Sequence, residues 1–226
     1  MPDGDVSRET AGSGVSPAPA VVSRRWPGAA ERLEAYAVLL ATEGVERGLL
    51  GPREVPRLWD RHLINCAVVA DLIPEGVTLC DVGTGAGLPG MVLAVVRPDL
   101  QVTLLEPLLR RTKFLEEAAI ALQLDNVEVV RGRAEEAQRS FDVVTARAVA
   151  PLDRLLRSSY HLVRPHGQLL AMKGDSAASE IDRARTLLGR LGAEACDVVV
   201  VGTGLVDPPA TVVRVTAGES KRGRRP

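Results

Sequence analysis

The chain has 226 residues, 46% of them hydrophobic and 25% charged. Its 28 lysines and arginines balance 29 acidic side chains for a formal net charge of -1. A chain this long and apolar buries a core without disulfides or metal. Cys66, Cys80 and Cys196 are odd in number and far apart with no CxxC pair, which fits a reducing cytoplasm. No apolar run is long enough to cross a bilayer and no signal-peptide pattern opens the chain, so membrane proteins, secreted mini-proteins and fibrous proteins are not expected. The balanced charge is less basic than that of a dedicated nucleic-acid module. Among the basic residues only Lys113, Lys173 and Lys221 are lysine, a bias that codon preference explains more simply than phosphate binding.

Residues 1–25 are rich in Gly, Ser, Pro and Ala without a periodic apolar face, and read as a disordered leader. Residues 26–75 form a helical segment, with apolar spacing of helical period from Ala29 to about Leu50 and from Val55 to Leu72. Short apolar runs follow at Val77–Val82, Gln101–Glu106, Val127–Arg131, Phe141–Ala146 and Gln168–Lys173. Helical stretches separate them at Leu88–Val96, Leu108–Leu124, Pro151–Val163 and Ala177–Leu191. Alternation of this kind predicts an α/β fold, a doubly wound and mostly parallel sheet with helices on both faces. Two β-rich runs, Cys196–Val201 and Ala210–Thr216, are joined by a Gly/Pro loop without a helix and predict an antiparallel finish to a seven-stranded sheet. The domain then spans residues 76–217, and residues 218–226 form a basic tail.

The densest motif is Asp81-Val82-Gly83-Thr84-Gly85-Ala86-Gly87-Leu88-Pro89-Gly90, between the first strand and its helix. Glycines there allow a tight turn and close approach of a ligand to the backbone, and Pro89 suits a first helical turn. In open α/β sheets the ligand binds beyond the carboxyl ends of the strands, where strand order reverses. The same residues satisfy GxGxxG, and Glu106 ends the second strand at the distance where an acid meets ribose hydroxyls. That acid serves a dinucleotide or an S-adenosyl ligand equally. Asp81 directly before the glycines favours a cationic sulfonium ligand, and the terminal β pair leaves no separate catalytic domain for a dehydrogenase. Arg133-Ala134-Glu135 follows the third strand at the same rim. It reads either as an adenine-facing turn or as a helix start carrying acids for dipole reasons.

These residues resemble motif I of class I S-adenosylmethionine-dependent methyltransferases. Further segments resemble the RsmG (GidB) family of bacterial small-subunit ribosomal RNA guanine-N7 methyltransferases: Arg61-His62-Leu63-Ile64-Asn65, the Gly-Leu-Pro-Gly loop ending, Arg111-Thr112-Lys113-Phe114-Leu115, Arg147-Ala148 and Met172-Lys173-Gly174. The resemblance spans residues 30–217. It implies a Rossmann-like class I fold with an N-terminal helical extension and S-adenosyl-L-methionine as cofactor. The implied substrate is 16S rRNA, in the 30S subunit or an assembly intermediate, with no metal and no membrane partner. It also implies a cofactor site of Gly83, Thr84, Gly85, Leu88, Glu106, Ala134, Glu135 and Arg147. There are departures: Arg47-Gly48-Leu49-Leu50-Gly51 stands where the family often has Asn-Leu-Thr, and Asn65-Cys66 where Asp-Ser is common.

Guanine N7 carries a lone pair and no proton, so its attack on a sulfonium methyl needs positioning rather than a general base. No catalytic residue is therefore expected. Arg147 and Lys173 are the positioning candidates, and His62, His161 and His166 read as surface or cap residues. An arginine beside a guanine turning cationic would be unfavourable, so Arg147 is expected to meet a carboxylate or phosphate. Arg53, Arg57 and Arg61, or Arg110, Arg111 and Lys113, are the clusters available to RNA phosphates, and Trp59 is expected in the core. The competing expectations are a small-molecule methyltransferase on the same fold, an NAD-binding oxidoreductase and a non-catalytic RNA-binding module.

Overall fold

A computed structural model describes residues 14–147 and 150–219. Residues 1–13 of the expected leader, Ala148, and residues 220–226 of the expected tail lie outside them. The leader boundary at residue 25 is corrected. Ala20–Arg25 form a helix, α1, with Val22 fully buried. Val15 is also buried, Ser16 accepts a bond from the Trp59 indole at 2.7 Å, and the Ala18 amide donates to Glu34 at 2.9 Å. Isolated valines among prolines and alanines are too few to show a periodic face, yet two of them suffice to dock the segment.

The helical segment continues as α2 (Ala30–Leu39), which widens into a π turn at Leu40–Gly44, and a 3-10 turn at Pro52–Arg57. A continuous run follows, here called α3, made of a π segment Leu58–Ile64, an α piece Asn65–Ala67 and a 3-10 turn Val68–Leu72. Strands β1 (Thr78–Val82), β2 (Gln101–Glu106), β3 (Val127–Arg131) and β4 (Phe141–Arg147) match the predicted runs closely. They alternate with α4 (Gly90–Val96) and α5 (Leu109–Ala121). Then come α6 (Leu152–Ser159), β5 (Val163–Lys173), α7 (Ala177–Leu191), β6 (Ala193–Val201) and β7 (Ala210–Ala217). β5 starts before the predicted Gln168. Val163 pairs with Phe141, and Arg164–Gly167 then bulge without ladder partners, His166 at φ +61°, before pairing resumes at Gln168 opposite Val143.

The seven-stranded sheet has the order β3-β2-β1-β4-β5-β7-β6. β1 pairs in parallel with both β2 and β4, so the chain reverses direction of winding there and the rim above β1 is open to a ligand. β7 is antiparallel to both neighbours and lies between β5 and β6.

Alternate residues feed two cores. Leu79, Val143 and Leu170 face a cluster with α2 to α5, while Cys80, Val144 and Leu169 face α6 and α7. α4 is buried on every side, as expected of a helix apolar all round, so it lies between sheet and N-terminal helices. Each of its fully buried Met, Val and Leu side chains contributes about 1.5–3 kcal/mol. The first cluster runs without a seam from Val15 through α2 and α3 to Val212, so the expected boundary at residues 75/76 falls inside one core.

Candidate active site

The glycine loop is shaped by positive backbone dihedrals: φ is +64° at Gly83, +61° at Gly85 and +94° at Gly87. Such conformations cost a residue with a side chain about 1–2 kcal/mol. The loop is tied to β2 by the Gly83 amide, which donates to the Leu105 carbonyl at 2.8 Å. Below it Asp81 is fully buried. Its Oδ2 accepts from the Thr84 hydroxyl at 2.5 Å and the Gly90 amide at 2.8 Å, so the acid folds the loop back over the end of β1. Burial pushes the Asp81 carboxyl up to about 7, against the pull of these two bonds. Its Oδ1 is buried without a partner. Pro89 stands at the cap of α4, just before its first turn, and Gly90 is required there. A Cβ would lie 2.7 Å from Asp81 Cβ and 2.8 Å from its Oδ2.

The N-terminal helices close the other side of the loop. Tyr36 on α2 is completely buried and its hydroxyl makes a short hydrogen bond to the Ala86 carbonyl. Burial, with Cys66 and Asp81 nearby, raises its phenol well above the ordinary value. Sequence reasoning missed Tyr36, because in an apolar helical stripe a tyrosine reads as core.

Glu106 ends β2 as predicted and reaches across to the loop. One oxygen accepts from the Gly85 amide at 3.1 Å and the other from the Leu108 amide at 3.1 Å. Arg111 approaches at 3.5 Å, and its Nε is buried without a partner. Ala134 and Glu135 open a 3-10 turn after β3, with Ala134 buried and Glu135 exposed at the same rim. The turn hangs beside β2, since the Gly132 amide donates to the Glu106 carbonyl at 3.2 Å. The structure thus brings Gly83, Thr84, Gly85, Leu88, Glu106, Ala134 and Glu135 to adjoining strand ends.

Beyond Gly85 the space is open: a Cβ there would meet only the Gly83 carbonyl, at 3.9 Å. Open space beside Gly85, accepting carboxylate lone pairs at Glu106 and an unpartnered Asp81 oxygen fit a cationic nucleoside. A dinucleotide's pyrophosphate would instead meet carboxylates.

Arg147 ends β4 and is held by α3. Nη2 donates to the Arg61 carbonyl at 3.1 Å and to His62 Nδ1 at 2.8 Å, and Nη1 donates to Cys66 Sγ at 3.1 Å. His62 Nε2 in turn lies 2.8 Å from Glu54 Oε2. This corrects one expectation: His62 is not a surface histidine but 7% exposed. Among the described residues Arg147 meets no carboxylate directly and reaches Glu54 through this imidazole. Burial and the neighbouring Arg147 cation hold the His62 imidazole below its ordinary value, while the His62 bond holds Glu54 low. Burial raises the Cys66 thiol. Glu54 sits in Pro-Arg-Glu-Val-Pro, which reads as a solvated turn, so nothing local to it announced the contact.

Lys173 ends β5. Its ammonium donates to the Ala150 carbonyl at 2.5 Å and lies 2.9 Å from Glu180 Oε2, both side chains being only 10% exposed. Glu180 also accepts from the Leu152 amide at 2.7 Å and the Ser176 hydroxyl at 2.8 Å. Burial pushes the Glu180 carboxyl up, but these donors outweigh it and leave it below its ordinary value. The Lys173 head group is therefore engaged in joining β5, α6 and α7. Lys173 and Arg147 nonetheless line one cavity of about 540 Å³ with Arg61, Asn65, Gly174 and Thr211.

Arg53, Arg57 and Arg61 are exposed on the α3 side of this rim, and Arg110 and Lys113 on the α5 side. Trp59 is 5% exposed, as expected. No group of three or more metal-binding side chains occurs among the described residues.

A profile of the family described as rRNA small subunit methyltransferase G matches residues 29–206. Proteins named ribosomal RNA small subunit methyltransferase G are close relatives. That of Streptomyces avermitilis is 61% identical over 193 residues, 84% of this chain and 81% of the relative. That of Nocardioides sp. is 53% identical over 223 residues, 96% of this chain and 86% of the relative. Among solved structures, an S-adenosyl-L-methionine-dependent methyltransferase described as putative from Methanococcus maripaludis superimposes with a TM-score of 0.55. It shares 14% identity and covers 82% of this chain and 94% of its own. A SAM-dependent methyltransferase from Aquifex aeolicus gives a TM-score of 0.53 at 19% identity, covering 77% and 97%. At such identities these two share the class I methyltransferase fold and nothing finer. The profile match over most of the chain and the identity to its relatives carry the finer assignment: the chain belongs to the rRNA small subunit methyltransferase G family.

Proposed function

We propose that this protein is an S-adenosyl-L-methionine-dependent methyltransferase acting on N7 of a guanine in 16S rRNA, in the loop near the decoding centre. Its substrate is the 30S subunit or an assembly intermediate, and it works in the cytoplasm. The observation that carries the reading is the clasp at the reversal point of the sheet, where Glu106 accepts the Gly85 amide beside an open glycine face. The donor, when bound, supplies an electrophilic methyl group on a sulfonium. Gly83, Thr84, Gly85 and Leu88 hold it from the loop, Glu106 takes its ribose hydroxyls, and Ala134 and Glu135 flank its adenine. Arg147 offers N–H donors to an anion at the rim of the cavity.

The chain's own task is to orient and exclude water. N7 needs no proton removed, and the one histidine beside the cavity has both ring nitrogens engaged, by Arg147 and Glu54. Keeping Arg147 on three protein acceptors also holds its charge back from a guanine that becomes cationic. RNA must present the base unstacked, because a paired guanine's N7 lies in a deep, narrow groove. The free Cys66, Cys80 and Cys196 support a reducing compartment.

The test is transfer of label from S-adenosyl-L-methionine to 30S subunits from a strain lacking the enzyme, with the label mapped on the RNA. Label on a guanine N7 of 16S rRNA is expected. Label on carbon or an exocyclic nitrogen, or none, refutes the reading.

A further inference from the structure

We propose that Glu54 and His62 are positioning residues that fix the Arg147 guanidinium in the active site through a single imidazole tautomer. The inference rests on the reading of Arg147 as the side chain that meets an anion there.

A guanidinium donates and never accepts. With Arg147 Nη2 at 2.8 Å, His62 Nδ1 must therefore be the bare acceptor. The ring's only proton is then on Nε2, where it donates to Glu54 Oε2 at 2.8 Å. Glu54, held ionised by that bond, can only accept. The chain from guanidinium through imidazole to carboxylate consequently has one orientation. A second proton on His62 would set an N–H against the guanidinium.

The charged and titratable groups around His62 all fit this state. Arg147 faces it from β4 and Arg61 from its own segment, the latter 3.4 Å from the same Glu54 oxygen. Arg57 acts on Glu54, and Cys66, Tyr36 and Asp81 each interact with the Arg147 charge. With Arg61 and Cys66 accepting as well, the guanidinium is pinned at three points. Its Nε–H and one Nη1–H have no partner among the described residues. A planar guanidinium fixed in this way holds each of those two donors in its own set direction, and a misplacement of about 1 Å in such a group costs on the order of 100-fold in rate.

Asparagine and glutamine separate this role from a mere tie between α3 and β4. Asn at position 62 can put an amide oxygen near the place of Nδ1 and keep the Arg147 contact. Gln extends toward the place of Nε2, keeping Glu54 and losing Arg147. Single-turnover methyl transfer to unmodified 30S subunits by the full chain is the readout, with S-adenosylhomocysteine affinity by calorimetry and thermal melts alongside. His62→Gln should slow transfer by about tenfold or more, and His62→Asn markedly less. Glu54→Gln, at a half-buried site that leaves the core intact, should slow transfer while leaving the melt unchanged.

In an Arg147→Ala background, or Arg147→Lys if transfer is too slow to read, the same substitutions should cost nothing further. Weakened S-adenosylhomocysteine binding would place the anion on the donor's carboxylate. An unchanged affinity with a raised KM for 30S would place it on RNA phosphate. Equal losses for Asn and Gln, or losses that multiply unchanged on the Arg147 background, overturn the positioning role. Absence of transfer by the unaltered protein would instead overturn the functional reading beneath it.

Discussion

Two glycines of the loop share a left-handed backbone yet should fail in different ways when a methyl group is added. Gly85→Ala places its Cβ in open space, with only the Gly83 carbonyl at 3.9 Å, so its stability cost is confined to the φ of +61°, about 1–2 kcal/mol. Gly87→Ala carries that cost at φ +94° and adds a collision. Its Cβ would sit 2.9 Å from Met91 Cβ and 3.1 Å from Leu115 Cδ2, and on top of the Tyr36 hydroxyl. Overpacking of this kind adds about 1–3 kcal/mol, for a total of roughly 2–5. Binding should invert the order of severity relative to stability. The Gly85 methyl occupies the face proposed for the donor, so S-adenosylhomocysteine affinity should fall far more than folding stability does. Urea denaturation and calorimetric titration of each variant separate the two quantities. Gly87→Ala no less stable than Gly85→Ala, or Gly85→Ala binding as tightly as the unaltered protein, would refute the assignment of the open face.

Removing the Tyr36 hydroxyl in Tyr36→Phe leaves the Ala86 carbonyl short of a buried donor, at a cost of about 1–3 kcal/mol by urea denaturation. An unchanged midpoint would show that water replaces the bond. Asp81, with a carboxyl at about 7 in the fold against an ordinary 3.8, stabilises the fold most below pH 3.8 and loses that contribution as pH rises toward 7. Asp81→Asn should therefore gain stability relative to the unaltered protein between pH 4 and 7, by at most about 4 kcal/mol. Melts of the pair across that range, taken as a difference, cancel the other titrating groups, and a flat difference would contradict the buried charge. Lys173→Met strands Glu180 in the core and should cost about 3–5 kcal/mol, largely recovered by adding Glu180→Gln. A stable Lys173→Met with lost transfer would instead return Lys173 to the chemistry.

What the sequence disclosed follows from the range of the forces involved. Strand runs such as Gln101–Glu106 and Phe141–Ala146 are legible because burial on both faces leaves a mostly apolar signature. The glycine loop is legible because positive φ has few residue solutions. Contacts made across distant segments leave no such local trace. Glu54 is a charge in a proline-flanked turn until α3 and β4 come together around it, and His62 is separated from Arg147 by the whole of three strands. Arg147 itself is legible at the strand end, but the three acceptors that hold it within the protein are not, because an imidazole relay cannot be read from spacing. The docking of residues 14–25 failed for the same reason: Val15 and Val22 matter only once Trp59 and α2 provide the surface they fill.

This distribution changes what the N-terminal helices are. A segment that merely flanked the sheet would contact it through apolar side chains alone. Here α2 supplies the hydroxyl that ties down Ala86 in the glycine loop, and α3 supplies the carbonyl, the thiol and the imidazole that hold Arg147. The 3-10 turn before α3 supplies the carboxylate behind that imidazole. The open sheet provides strand ends, the loop and Glu106, the parts proposed to grip the nucleoside. The wall facing the cavity and the restraint on its arginine come from outside the sheet. The glycine loop and the setting of Arg147 thus draw on different N-terminal helices, α2 and α3, joined by one continuous core, and a substitution in α3 can reach Arg147 without touching the glycine loop.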